Sequence, residues 1–378
     1  PKNRDGTGDF LTTTPSRSRL PRATMASSSM AGEDGSPSSS STMTSEPPPP
    51  DRGTLREAVA ALYTSPDQNQ RAAADQWLQW FLRSDHAWPL SIGMLRDATD
   101  LTSLEALFCA RALHVLLRRC VSKAEKTQKS HAVLGEGDWI GMRDCLLPMA
   151  WNFAVKTVLH DVRGAGSIPG EAPPRTVLTQ VSLAIAALAC KMPNWDERAV
   201  VRDLAGYFGV DAEAAPDAVV NTVVALGGGA GSNPGNVNNA DGRQKLSPEG
   251  AAAVTRAGSG CLLQILAVLP DEVTAREISI HPGRRAAVAD GLRAAAAEVV
   301  QPALDALARR LWAAGDVPGG DDVNGRILLQ EAAAAWCGFH PESPGSCPGS
   351  CLEAAVRCLC APHGSHHPKL VDASVTGA

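Results

Sequence analysis

Several things are missing from this sequence, and each absence removes a class of function. An excess of positive charge is missing: 35 Lys and Arg face 40 Asp and Glu, for a formal net charge of -5. A general nucleic-acid binder needs a basic surface, so direct nucleic-acid binding is not expected. The mild acidity instead suits a protein that carries basic partners. No apolar run in the sequence approaches the roughly 20 residues that span a bilayer. The longest, Ser182 to Cys190, stops at Lys191. No secretory signal is present, and no stretch alternates apolar and polar residues as a half-buried strand does. Catalytic signatures are missing too. The Gly227-Gly228-Gly229-Ala230-Gly231 run has no following Lys-Ser/Thr pair and precedes no strand, so it is no phosphate loop. There is no Gly-x-Ser-x-Gly elbow and no His-Glu-x-x-His helix. The expectation is a soluble, intracellular, all-α protein that is not an enzyme and uses no cofactor.

The ten cysteines do not read as a disulfide framework. Cys109, Cys120, Cys145, Cys190, Cys261 and Cys337 sit in apolar helical stretches, where a reduced thiol acts as a small hydrophobe. Residues 1–53 form a Ser/Pro-rich leader ending in Pro47 to Pro50. It carries too little apolar surface to offset its ordering entropy and is expected to be disordered. The chain opens on Pro1, which makes Met25 or Met30 a candidate start.

From Thr54 the sequence turns to helix after helix. Thr54 with Glu57 and Thr102 with Glu105 have capping-box spacing. Ser65-Pro66 and Ser247-Pro248 each place a cap before a proline at the first helical position. Apolar residues then recur at helical spacing: Ala74, Trp77, Leu78 and Phe81, or Val177, Val181, Ala184 and Leu188, or Leu328, Ala332, Ala335 and Phe339. The helices fall into pairs of about 40 to 50 residues, the period of HEAT-like arrays. The expected pairs are 54–63 with 66–83, 87–98 with 103–122, 137–160 with 175–192, 195–208 with 258–269, and 284–311 with 323–340. A partial sixth begins near Cys351. The fold expected is a right-handed α-solenoid of about five pairs. Residues 54–208 hold the first three pairs and the opening helix of the fourth, and 209–256 form a flexible Gly/Asn-rich insertion. Residues 257–361 complete the array, and 362–378 form a disordered tail. Pro302 should kink or split its helix near Val300. The stripe of the last pair has little sequence after it to cover it, so an exposed apolar patch and self-association are expected there.

Four stretches, in order and at matching spacing, resemble the importin-β (karyopherin) superfamily, in particular its importin-thirteen and transportin-SR branch. The first runs from Ala61-Leu62-Tyr63 through Pro66-Asp67, Arg71-Ala72 and Trp77-Leu78 to Arg83-Ser84-Asp85-His86-Ala87-Trp88. The second is Leu178 to Ala186, closing in Met192-Pro193-Asn194-Trp195. The third is Leu262 to Val273, and the fourth is Gly283-Arg284-Arg285 leading a helix. The resemblance covers about residues 54–340. The family's solenoid is more than twice this length, and its C-terminal part, including much of the cargo-binding arch, is missing. The resemblance implies a nuclear transport receptor, shuttling between nucleus and cytoplasm. It would bind the GTP form of the small GTPase Ran on the concave face of its first units, together with protein cargo and the FG-repeat proteins of the nuclear pore. Carried onto this chain, the Ran-facing helices are 66–83, 103–122 and 175–192. Their polar, off-stripe positions are Asp75, Gln79, Arg111, His114, Arg118, Thr179 and Gln180. The rival reading is a HEAT-type scaffold that binds another protein without Ran.

Other groups read more plainly. Most of the tryptophans fall on apolar stripes and are expected in the core, with Trp80 the exception and Trp195 closing a turn between units. Arg118-Arg119, Arg284-Arg285 and Arg309-Arg310 are basic pairs at helix ends, where cations complement the helix dipole. Cys347, Cys351, Cys358, Cys360, His363, His366 and His367 carry soft ligands, but their spacing fits no standard zinc knuckle.

Overall fold

The first helix starts one turn earlier than its predicted cap, because Asp51 and not Thr54 caps it. Asp51 accepts from the backbone of Thr54 at 2.7 Å, and the Thr54 hydroxyl returns a bond to the Asp51 backbone. The computed structural model describes residues 50–97, 101–122, 133–134, 136–162, 174–208, 248–276, 278, 280–315 and 323–339. All lie in the second of the chain's two units, Pro49–Ala378. The partial sixth pair, the Cys/His segment and nearly all of the leader, with the insertion up to residue 247, lie outside the described residues.

Eleven α-helices occur among the described residues: α1 (Arg52–Thr64), α2 (Gln68–Phe81), α3 (Ala87–Arg96), α4 (Ser103–Arg119), α5 (Glu136–Val162), α6 (Pro174–Lys191), α7 (Val200–Tyr207), α8 (Pro248–Thr274), α9 (Pro282–Ala295), α10 (Gln301–Gly315) and α11 (Val323–Phe339). The protein is all-α, as expected. Two short strands, β1 (Val121–Ser122) and β2 (Val133–Leu134), make a two-residue parallel bridge that the sequence did not suggest.

Local chemistry explains most of the boundaries. Thr102 and Glu105 form the expected capping box of α4. Ser65, read as a cap of the second helix, instead ends α1, and Asp67 caps α2 by accepting from Asn69 at 2.9 Å. Helix α8 does begin at Pro248, so residues 248–256 belong to it and not to the insertion. Ala253 and Val254 are buried there. It also runs on through Pro270 to Thr274, beyond the expected stop at Leu269. The expected break before Pro302 is present: a five-residue π turn, Ala296–Val300, separates α9 from α10. A proline ring displaces the carbonyl four residues back, and widening the turn is one way to absorb that.

The helices pack as pairs in chain order except at the expected fourth pair, 195–208 with 258–269. There α7 lies chiefly on α9 and the π turn, and α8 on α5 and α6. Helix α1 lies on α2 and α3 on α4, while α5 lies on α6 and α10 on α11. The second helices form a continuous row, with α4 against α6, α6 against α8 and α8 against α11. One hydrophobic core runs through all of them. In that row the C-terminal half of α6 is covered on every side: Ala184 through Met192 are buried without interruption. Its predicted stripe was therefore only part of a helix that is apolar all round. Each fully buried Leu or Ile here contributes about 1.5–3 kcal/mol of transfer free energy.

Two expectations change on this geometry. Helix α8, over Gly250–Thr274, is long and apolar enough to cross a bilayer, although no such run was expected. Two thirds of it is buried inside the protein, against α6 and α11, as befits a core helix. In α11, Leu328, Ala332 and Phe339 are buried and Ala335 is half-buried. The stripe expected to be exposed is thus covered among the described residues of α11. The Trp336 indole donates to the Leu266 carbonyl at 2.9 Å and ties α11 to α8.

Candidate functional site

The seven predicted contact residues separate into two groups. Asp75 and Gln79 on α2 and Arg111 on α4 are exposed, as a partner-facing residue must be. Gln180 is half-buried on α6, and the Thr179 hydroxyl turns back to the Arg175 carbonyl of its own helix at 3.0 Å. His114 and Arg118 point elsewhere. His114 retains 8% exposure, and its Nε2 lies 2.9 Å from Glu272 Oε1 on α8. Arg118 approaches the same carboxylate in two-pronged fashion, Nε to Oε1 at 2.8 Å and a terminal nitrogen to Oε2 at 2.7 Å. In this structure both side chains are engaged within the protein, joining α4 to α8.

Glu272 is buried to 1% exposure, a position where an unpaired carboxylate would be costly. Burial pushes its carboxyl pKa up, but the hydrogen bonds from Arg118 and His114 outweigh that and hold it below the ordinary carboxylate range. Lys191, the last residue of α6, completes the cluster. Its Nζ donates to the carbonyls of Arg118 at 2.7 Å and Cys120 at 2.5 Å. Carbonyls at a helix end lack helical donors, so Lys191 caps α4, which stops at Arg119 and not at residue 122.

The device recurs along the row. Arg284 of α9 donates to the Met192 and Trp195 carbonyls just beyond α6, at 2.7 and 3.3 Å, and pairs with Glu197. Arg285 donates to the carbonyls of Val273, Ala275 and Ile278 at the end of α8. The basic pair Arg284-Arg285 thus complements the C-terminal ends of two other helices, although it sits at the N-terminal end of its own, where a cation gains nothing from the dipole. Trp195 is buried, and its indole donates to Asp203 at 3.0 Å, closing the turn between the third and fourth units.

Glu272 and Lys191 were missed because each was read as a boundary. The signal was present: a charge embedded in an apolar run is rarely buried without a partner. Trp80 is half-buried and packs near Trp77, with ring centroids 5.9 Å apart, and among the described residues the exposed large hydrophobic is Tyr63. The described cysteines are free thiols. Burial pushes Cys109 and Cys190 up to about 12, so both stay protonated and behave as core side chains. Among the described residues no group of three or more His, Cys, Asp or Glu is placed to hold a metal ion.

A segment of 153 residues is 29% identical to Transportin MOS14 of Arabidopsis thaliana. The match covers 40% of this chain and 13% of that relative, so the chain spans well under two thirds of the relative's length. No family model matches the sequence.

Proposed function

We propose that this chain is the N-terminal part of a nuclear transport receptor of the importin-β superfamily, of the importin-thirteen and transportin-SR branch. It binds the GTP form of Ran and carries protein cargo past the FG-repeat proteins of the nuclear pore, shuttling between nucleus and cytoplasm. It performs no catalysis of its own. The observation that carries this reading is the likeness to a transportin, in a chain built of successive helix pairs. The pairing supplies what such a receptor needs: rigid helices with their apolar flanks closed against neighbours, and polar flanks left for partners. Asp75, Gln79 and Arg111 are the exposed positions on the second helices of the first two pairs, and they form the proposed Ran-facing surface, with Gln180 at its edge.

The reading is tested on a sizing column. The chain is expected to co-elute with Ran loaded with GTP and to run alone with Ran loaded with GDP. Equal behaviour with both forms would return the chain to the class of HEAT-type scaffolds that never meet Ran.

A further inference from the structure

In a helical-repeat stack each unit normally contacts only its neighbours, so bending can be shared by every junction. The cluster at the ends of α4, α6 and α8 departs from that pattern. Glu272 lies on α8 and His114 and Arg118 on α4 of the second pair, 158 and 154 positions apart in sequence, with the whole of the third pair between them. Small side chains make this possible. Ala184, Ala186, Ala187 and Ala189 line the last turns of α6 and are fully covered, which lets side chains from α4 and α8 meet at its C-terminal end. Lys191 of α6 donates to the carbonyls at the end of α4, so α6 is tied to the same place. Glu272, the buried anion, is bonded by both α4 side chains.

We infer that Glu272 is the latch of an interhelix clamp that holds the second and third helix pairs and α8 as one rigid block. Bending of the array is then confined to the junctions on either side. On the C-terminal side the first helix of the fifth pair is already interrupted, by the π turn at Ala296–Val300 ahead of Pro302. On the N-terminal side the first pair meets the second at α1 against α4, through the ion pairs Arg56–Glu105 and Arg52–Asp97 and the Phe81–Phe108 ring contact, with neither anion buried as deeply as Glu272. The clamp is a property of the fold and holds whatever the array binds.

Amide hydrogen exchange on the full chain tests it, because local opening reports which segments are coupled. In Glu272→Gln, which keeps the shape and removes the charge, exchange in the last turns of α4 and α8 is expected to accelerate together, at least tenfold. Exchange in α1 and α11 should stay as in the unaltered protein. Acceleration confined to α8, or none, would overturn the clamp and leave Glu272 a local feature of its own helix. Should that variant fail to fold, Arg118→Lys retains the charge but loses the two-pronged bond, and the same paired acceleration is expected. Unchanged exchange in α8 of Arg118→Lys would equally overturn the inference.

Discussion

Replacing Arg118 with glutamate is expected to lower the stability of the chain by about 3–5 kcal/mol, the range found when a buried ion pair loses one partner. The substitution removes both prongs of the bond to Glu272 and sets a second carboxylate against a buried one. Replacing both members, Arg118→Met with Glu272→Met, is expected to cost less than the single reversal, since no uncompensated charge remains. The pH dependence has a fixed sign. Glu272 has a folded pKa below its ordinary value of 4.5, so its contribution is present above pH 4.5 and is lost as pH falls through the folded value. The gap between the unaltered protein and Arg118→Glu should therefore narrow in acid, measured by denaturant unfolding. A single reversal that changes stability by less than about 1 kcal/mol would remove the ion cluster from the stabilising interactions.

Truncating Trp151 to alanine is expected to cost a similar amount, about 3–5 kcal/mol. Trp151 is 1% exposed, its ring lies 5.8 Å from that of Phe208, and its indole donates to the Tyr207 carbonyl at 3.3 Å. It joins α5 to α7 and also fills the space beside Gly258 on α8. A methyl group at Gly258 would come within 2.5 Å of the Trp151 ring and 2.8 Å of the Phe208 carbonyl oxygen. Gly258→Ala alone should therefore destabilise by about 1–3 kcal/mol through overpacking, although alanine is the better helix former. In the Trp151→Ala background the ring is gone, and the same substitution should cost distinctly less. The double-mutant cycle reads that difference as a coupling between the two sites. Additive effects would place the conflict at the Phe208 carbonyl, which the truncation leaves in place, and not at the Trp151 ring.

The sequence displayed the fold more clearly than the site, for physical reasons that particular residues make plain. Helical spacing of apolar residues and the Thr102–Glu105 cap are local signals, and α4 starts where they placed it. Pro302 announced the interruption before α10 because a proline acts on its own preceding turn. The start of α1 was misplaced because two capping boxes compete there, and Asp51 lies inside what composition marked as leader. His114 and Arg118 were polar and off the stripe of their helix, so a single-helix reading turned them toward a partner. Only the tertiary structure brings up Glu272, more than 150 residues away, and supplies the buried acceptor for both. Asp75 and Arg111 remain at the surface where the helical pattern put them.

That distinction decides where the proposed Ran-facing surface should be probed. Arg118 is unsuitable, because its reversal would confuse binding with folding. Asp75→Lys combined with Arg111→Glu reverses two exposed charges on α2 and α4 and leaves the clamp and the core alone. Calorimetric titration of this double variant with GTP-loaded Ran is the most direct measurement. The expected result is a loss of at least roughly 1 kcal/mol of binding free energy, with an unchanged melting transition. Unchanged affinity for GTP-loaded Ran would contradict the account and remove the exposed faces of α2 and α4 from the binding surface.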